Sequence, residues 1–261
     1  MNKIAAISFS GGMDSTSLLL HLINNDYTVY ALSFNYGQKH SIEIEKAKSN
    51  IKYLKSKKIS VYHKIINISD CMDILTSSLT TDSIKVPYGH YEEESMKSTF
   101  VPNRNAIFSS ILYGYAITIS KKHNNKVLIS LGVHSGDHTI YPDCRKEFYL
   151  KLFDSFKEGN WDSENIKIYL PYLNLDKTKI LKDAQKSVKE LSLNFNKIFS
   201  NTITSYDPDK KGRSSGKTGS DIERILAFDN LGIQDPIEYI DKWENVVKHA
   251  KKIESNFNSS S

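Results

Sequence analysis

Ile7-Ser8-Phe9-Ser10-Gly11-Gly12-Met13-Asp14-Ser15-Thr16 joins an apolar run to an apolar helix near the start of the chain. Lys3 to Phe9 carries β-branched and aromatic residues bounded by turn signals, the pattern of a buried strand. Gly11 and Gly12 can adopt positive φ and admit close backbone approach, so successive N–H groups can converge on one anion. Leu18, Leu19, Leu22 and Ile23 then predict a helix from Ser15 to about Asn24, whose positive N-terminal end adds to the same spot. Ser10, Ser15, Thr16 and Ser17 supply hydroxyl donors. Asp14 is an anion where an anionic ligand is expected, which makes sense if it holds a cation such as magnesium or orients the loop. A metal-bridged polyphosphate is the natural guest, and a plain turn with Asp14 or Ser15 as an N-cap is the alternative.

No Gly-Lys-Ser/Thr closes the string, so it is not a Walker A loop. Ser-Gly-Gly-X-Asp-Ser after an N-terminal strand resembles the signature of the PP-loop ATP pyrophosphatases. That resemblance implies adenylation of a substrate with release of pyrophosphate.

With 261 residues, 39% hydrophobic and 25% charged, the chain suits one large core, or one core with a small appendage. No apolar stretch is long enough to span a membrane. The start of the chain enters a strand directly, so no targeting peptide is expected and a cytoplasmic location is the default. The net charge of +5 suits an anionic substrate or a nucleic acid, and equally a lysine-rich surface that binds neither. Cys71 and Cys144 lie far apart, which excludes a disulfide framework and a Cys-x-x-Cys pair.

The rest of the chain alternates strands and helices. Strands are predicted at Thr28 to Phe34, near Ser60 to Ile66, at Lys126 to Gly132 and at Ile166 to Leu170. A helix is predicted from about Ser41 to Lys57, with Ile44, Ala47, Ile51 and Leu54 inward and Glu43, Glu45, Lys46 and Lys48 left to water. Further helices are expected from the Val101-Pro102-Asn103-Arg104-Asn105 opening to about Ser120, from Lys146 to about Lys157 and from about Asp176 to Glu190. In the first of these, Ala106, Ser110 and Gly114 recur every fourth residue, as in close helix packing. Such a rhythm predicts a parallel α/β sheet with helices on both faces and ligands beyond the carboxyl ends of the strands, and the resemblance above implies the doubly wound sheet of the PP-loop type. Residues 1–200 would form this nucleotide-binding domain and 201–261 a small helical appendage.

Residues 80 to 100 read as a mobile insertion or lid. The loop His134 to Arg145 gathers acids, histidines, a thiol and an arginine, and reads either as a substrate-reading loop or as solvated surface. His134 and His138 are four apart, but Gly136 between them makes a helical metal pair an unfavoured reading. Residues 207 to 220 read as a flexible, solvated basic loop, because the Walker A spacing around Gly216-Lys217-Thr218 fails. Short helices near Asp221 to Phe228 and Pro236 to Lys252 precede an Asn/Ser tail.

Separated segments together are similar to the 7-cyano-7-deazaguanine synthase (QueC) family. They are Phe9 to Thr16, Phe34-Asn35-Tyr36-Gly37-Gln38-Lys39-His40, Val101 to Asn105, and Gly132 through Tyr141-Pro142-Asp143-Cys144-Arg145 to Phe148, with Pro171 and Lys177 in a weaker fifth segment. The resemblance implies an ATP-dependent ligase. The carboxylate of 7-carboxy-7-deazaguanine attacks the α-phosphate of ATP, pyrophosphate leaves, and an amine, ammonia in the family, displaces AMP to give amide and then nitrile. It implies pyrophosphate and magnesium contacts from Ser10, Gly11, Gly12, Asp14, Ser15 and Thr16. Charge on the transferring phosphate falls to Arg104 and Lys177, with Asp14 beside them, and Asp143 and Asp137 would read the guanine-like edge. Tyr36, Gln38 and His40 would close over the reacting centre, with Arg145 in the same substrate loop; Cys144 reads as a small residue beside the base. The chain departs from the family in three places. Ser205, Ser215, Thr218 and Asp221 stand where the family carries four zinc-binding cysteines, so no zinc is expected; Asn103 replaces a glycine, and the segment beyond Asp229 is long. These departures leave open a paralogue of an antiviral defence system that joins the deazapurine to a protein or nucleic acid, as well as a non-catalytic binding module. Dimerisation is also left open.

Overall fold

From β1 (Lys3–Ser8) the chain runs through α1 (Met13–Asn24), β2 (Tyr27–Asn35), α2 (Ile42–Ser56), β3 (Tyr62–Asn67), a single turn α3 (Ser69–Met72) and the long α4 (Arg104–His123). It continues through β4 (Val127–Ser130), α5 (Lys146–Glu158), β5 (Ile166–Tyr169), α6 (Lys177–Glu190), the short α7 (Phe195–Phe199), α8 (Gly219–Asn230) and α9 (Trp243–Ser260). The computed structural model describes residues 3–39, 42–81, 83–137 and 140–260, with the side chains of 137 and 260 left out.

The strands form one five-stranded sheet in the order β3-β2-β1-β4-β5. All pairs are parallel, with Ile7 opposite Ala31 on one side and Ser130 on the other. Parallel strands need crossovers, and these carry the helices onto both faces. Side chains alternate accordingly. Ile4, Ala6, Leu32, Phe34 and Ile129 pack on one face with Leu112, Tyr113 and Ala116 of α4 and Tyr149 and Phe153 of α5. Ala5, Ile7, Val29 and Ala31 pack on the other with α1, α2 and α6, and Phe199 and Phe228 join that core from α7 and α8. The sheet is therefore the doubly wound α/β sheet expected, and its strand order reverses direction at β1 and β4. Ligand crevices open at such switch points.

Several local expectations fail. Only Gly11 of the glycine pair has positive φ, at 88°; Gly12 is extended, with φ −74° and ψ 171°. In α4 the Ala106, Ser110, Gly114 stripe does not pack, since Ser110 and Gly114 are exposed and no atom lies within 4 Å of a Cβ built on Gly114. The helix buries Ser109, Leu112, Tyr113, Ala116 and Ile119 instead, because an apolar stripe outcompetes a small one for the sheet. Asn103, the N-cap of α4, takes φ 61°, a left-handed conformation in which asparagine is the best substitute for glycine.

The 83–100 stretch packs against the rest of the chain. His90, Met96 and Thr99 are buried, and His90 stacks 3.8 Å from Phe257 of α9 while pairing with Glu254 at 2.9 Å. The 207–220 loop is likewise ordered around buried Ser214 and Thr218. Ser214, Ser215 and Thr218 turn their hydroxyls onto Asp221, while Lys210, Lys211 and Lys217 stay exposed. The helix expected from Pro236 begins only at Trp243 and runs through the predicted tail to Ser260.

Candidate active site

A cavity of about 250 Å³ opens beyond the carboxyl ends of β1 and β4. Its floor is the Ser10 to Ser15 loop. The N-terminus of α1 at Gly12 has no side-chain cap, so its first N–H groups are free to meet an anion. Inside the loop Ser10 Oγ lies 3.0 Å from Ser15 Oγ and accepts from Gly12 N at 3.2 Å. Gly11 lies beneath, pressed on α2, where an added Cβ would come 2.4 Å from the Glu43 carbonyl oxygen. Gly132, after β4, backs the same loop at 3.1 Å from Ser15 N by the same measure. A side chain at either glycine would push the loop out of place.

Asp14, His134, Lys177 and Glu223 converge above this floor. Lys177 Nζ is 2.6 Å from Glu223 Oε2 and 3.8 Å from Asp14 Oδ2. His134 bridges the same carboxylates, Nε2 at 3.7 Å from Asp14 Oδ2 and Nδ1 at 3.7 Å from Glu223 Oε1. Lys177 is the first residue of α6, where a cation opposes the helix dipole; Asp176 caps that helix by accepting from Lys179 N. Its burial there is sustained by the two carboxylates. Asp14 Oδ1 and Thr16 Oγ1 are buried with no hydrogen-bond partner among the described residues. Orphan oxygens beside a helix N-terminus match the hard-donor chemistry of magnesium carrying a polyphosphate.

The opposite wall is aromatic and basic. Arg104, at the start of α4, lies over the Tyr36 ring at 5.8 Å, and Phe108 packs edge-on to Tyr36. Burial opposes the Arg104 charge, but Tyr36, Tyr206 and Asp143 raise its pKa above the usual arginine value. Burial likewise raises Tyr36, with Arg104 acting against it. Asn105 donates to the Asp143 carbonyl at 3.5 Å, tying the Tyr141 to Cys144 turn to α4. Tyr91 and Met96 from the 80–100 stretch, and Thr204, Tyr206 and Ser220 from the C-terminal part, complete the lining.

The structure thus brings together Ser10, Gly12, Asp14, Ser15, Tyr36, Arg104 and Lys177, with Cys144 also on the wall. Gly11 and Thr16 support the loop from behind. Gln38 does not line the cavity; it accepts from Tyr36 N at 2.9 Å and braces the turn after β2. Asp143 is buried behind the wall, where it helps hold Arg104 charged, and Arg145 is exposed away from the lining. His40 and the Asp137 side chain lie outside the described residues.

Sequence reasoning assigned Glu43 to water and passed over Glu223, Tyr91 and Tyr206, all of which line the cavity. The available signal for Glu223 was its helix. Asp221, Ile222, Arg224 and Ile225 around it are all buried, so α8 has no wide solvent face. Burial pushes the Glu43 carboxyl up to about 7, against the pull of Arg104.

The positions that would carry zinc ligands hold a different device. Asp221 is fully buried and accepts from Ser214 Oγ at 2.6 Å, Thr218 Oγ1 at 2.8 Å, Ser205 Oγ at 3.0 Å and Ser215 Oγ at 3.2 Å. Hydroxyls turned inward on one carboxylate are not the thiolate and imidazole set that holds structural zinc. These residues do not fit the metal.

The family model described as "Queuosine biosynthesis protein QueC" matches residues 4–232. The chain is 42% identical over 239 residues to 7-cyano-7-deazaguanine synthase 1 of Colwellia psychrerythraea, covering 92% of this chain and 100% of that one. It is also 42% identical over 235 residues to 7-cyano-7-deazaguanine synthase of Methanoregula boonei, covering 90% and 98%. Among solved structures, NMN synthetase from Francisella tularensis aligns with a TM-score of 0.39 and 16% identity, over 95% of this chain and 85% of that one. The family match spans both the sheet and the cavity loops, and the chain belongs to the QueC family of queuosine-biosynthesis enzymes.

Proposed function

We propose that the protein is an ATP-dependent carbon–nitrogen ligase that adenylates the carboxylate of 7-carboxy-7-deazaguanine and passes the acyl group to ammonia, giving the amide and then the nitrile. The observation that carries this reading is the uncapped N-terminus of α1 opening into a cavity that also holds Arg104 and Lys177. Ser10, Gly12 and Ser15, with Gly11 shaping the loop, cradle the leaving pyrophosphate. Asp14 would hold magnesium, which would neutralise charge on that pyrophosphate. Arg104 and Lys177 offset charge on the transferring phosphate, and no protein nucleophile is needed. Tyr36, Phe108 and Cys144 offer the flat, apolar surface that suits a deazapurine, and Asp143 serves by holding Arg104 charged.

One observation favours a second acceptor. α9 lies beyond the residues matched by the family model and packs on His90, next to the cavity-lining Tyr91, so one lining segment is backed by an element outside the family match. A paralogue that joins the activated deazapurine to a protein or nucleic acid would use such an added element. Mass spectrometry of the pure protein with ATP, magnesium and 7-carboxy-7-deazaguanine, with and without ammonium, tests both. Nitrile that appears only with ammonium is the expected result. Pyrophosphate release that stalls at the adenylate, with no AMP freed by ammonium, supports the macromolecular acceptor, and no pyrophosphate at all overturns both.

A further inference from the structure

The carboxylates lining the cavity are not equivalent. Asp14 and Glu223 are matched to Lys177 and His134 at 2.6 to 3.8 Å. Glu43 has no hydrogen bond or ion pair among the described residues, although Arg104 acts on it through space. Its place is built, not incidental. The first turn of α2 is pressed against the phosphate loop at Gly11, and this contact sets the Glu43 side chain into the wall of the same cavity as Ser10, Asp14 and Arg104. An unmatched carboxylate in a partly water-excluded cavity costs stability, so its retention asks for a chemical role.

We propose that Glu43 is the general base of the amine-transfer step, taking a proton from the incoming ammonium. This inference rests on the adenylation reading above. The proton moves from ammonium to the Glu43 carboxylate, and the freed nitrogen lone pair forms a bond to the acyl carbon of the adenylate. The bond from that carbon to the phosphate oxygen breaks, and AMP leaves with the electron pair. The remaining excess proton on nitrogen passes to water, leaving the amide.

A proton acceptor works best when its pKa lies near the working pH. Burial places Glu43 at about 7. The groups that face it are Arg104 from α4 and Tyr36 from the end of β2. Arg104 stays cationic and Tyr36, raised by burial, stays neutral across that range. Glu43 is therefore the group of the three that titrates near neutrality.

Hydroxylamine tests the step, because it is neutral near pH 7 and attacks without first losing a proton, whereas ammonia is present as ammonium. In E43Q, amide formation should fall about 100-fold more than hydroxamate formation, and the inflection near pH 7 in the amide rate should vanish. Pyrophosphate release should fall far less than amide formation. Equal losses with both acceptors overturn the proposal, as does unchanged amide formation. A variant that loses pyrophosphate release to the same degree also overturns it, since Glu43 would then serve adenylation. Should E43Q fail to fold, E43D decides: an inflection kept at reduced rate supports the base, and a flat profile refutes it. Wild-type protein that releases no pyrophosphate from ATP and 7-carboxy-7-deazaguanine refutes the adenylation reading itself, independently of any variant, and the base falls with it.

Discussion

Lys177 Nζ and Glu223 Oε2 are 2.6 Å apart, with side chains 5% and 11% exposed, so α6 and α8 are joined by an ion pair at the edge of the cavity. The pair keeps a lysine extended toward the Ser10 to Ser15 loop at a helix N-terminus that would otherwise repel it. Lys177→Met should lower the rate of pyrophosphate release about 100- to 1000-fold, the scale for losing one preorganised charge donor. Glu223→Gln should cause a smaller loss, since the lysine remains but is less well aimed. Steady-state pyrophosphate assays check both, and equal losses would show that Glu223 acts on substrate directly.

Asp14→Ala should abolish pyrophosphate release and leave the fold intact. Asp14 Oδ1 has no hydrogen-bond partner among the described residues and the Oδ2 contacts to Lys177 and His134 are long, at 3.8 and 3.7 Å, so the substitution removes a ligand-facing oxygen more than a structural bond. Turnover together with a thermal melt separates the two effects. Unchanged turnover would remove Asp14 from the site.

Glu43→Gln should stabilise the protein at neutral and alkaline pH. A carboxyl raised to about 7 from an ordinary unfolded value makes the folded state bind the extra proton. Its contribution to stability is present below the unfolded pKa and is lost as pH rises through about 7. Thermal melts should therefore show E43Q above wild type at about pH 8, with the gap closing toward about pH 5. No gap at either pH would mean that the carboxyl is not raised.

Asp221→Ala should cost about 3 kcal/mol, because it strips the shared acceptor from the inward-facing hydroxyls of Ser205, Ser214, Ser215 and Thr218. Urea unfolding measures the loss. The same cluster predicts no stoichiometric zinc in purified protein and no change in melting temperature with chelator. About one zinc per chain by metal analysis would contradict it.

The legible parts of the chain were those whose signal is local. Lys3–Ser8 and Tyr27–Asn35 lie within a few residues of the expected strands, because parallel strands are buried on both faces and read as apolar runs. Ser10 to Ser15 could be placed for the same reason, since strand, glycine turn and helix N-terminus occur within one short string. Glu43 was misjudged because a helical pattern says only that a position lies off the apolar stripe. Off the stripe of α2, one direction meets water and another meets the phosphate loop. The 207–220 segment was misjudged because its serines, threonine and glycines look like loop composition, while their hydrogen-bond partner, Asp221, is a single residue on the next helix.

By itself the sequence determined the alternation of strands and helices and the strand–glycine turn–helix string at Ser10 to Ser15, because periodicity and short-range turn chemistry act along the chain; that Arg104 and Lys177 share one site was implied by the family resemblance alone. The tertiary structure alone decided that Glu223 clasps Lys177, that Glu43 stands in the cavity wall with no ion pair among the described residues, that Gln38 braces a turn and that Asp143 stands behind Arg104. Those outcomes depend on how α2, α6 and α8 pack against the loops after β1 and β4. Packing selects which polar face meets water and which meets substrate, and the pattern of polar letters is the same in both cases.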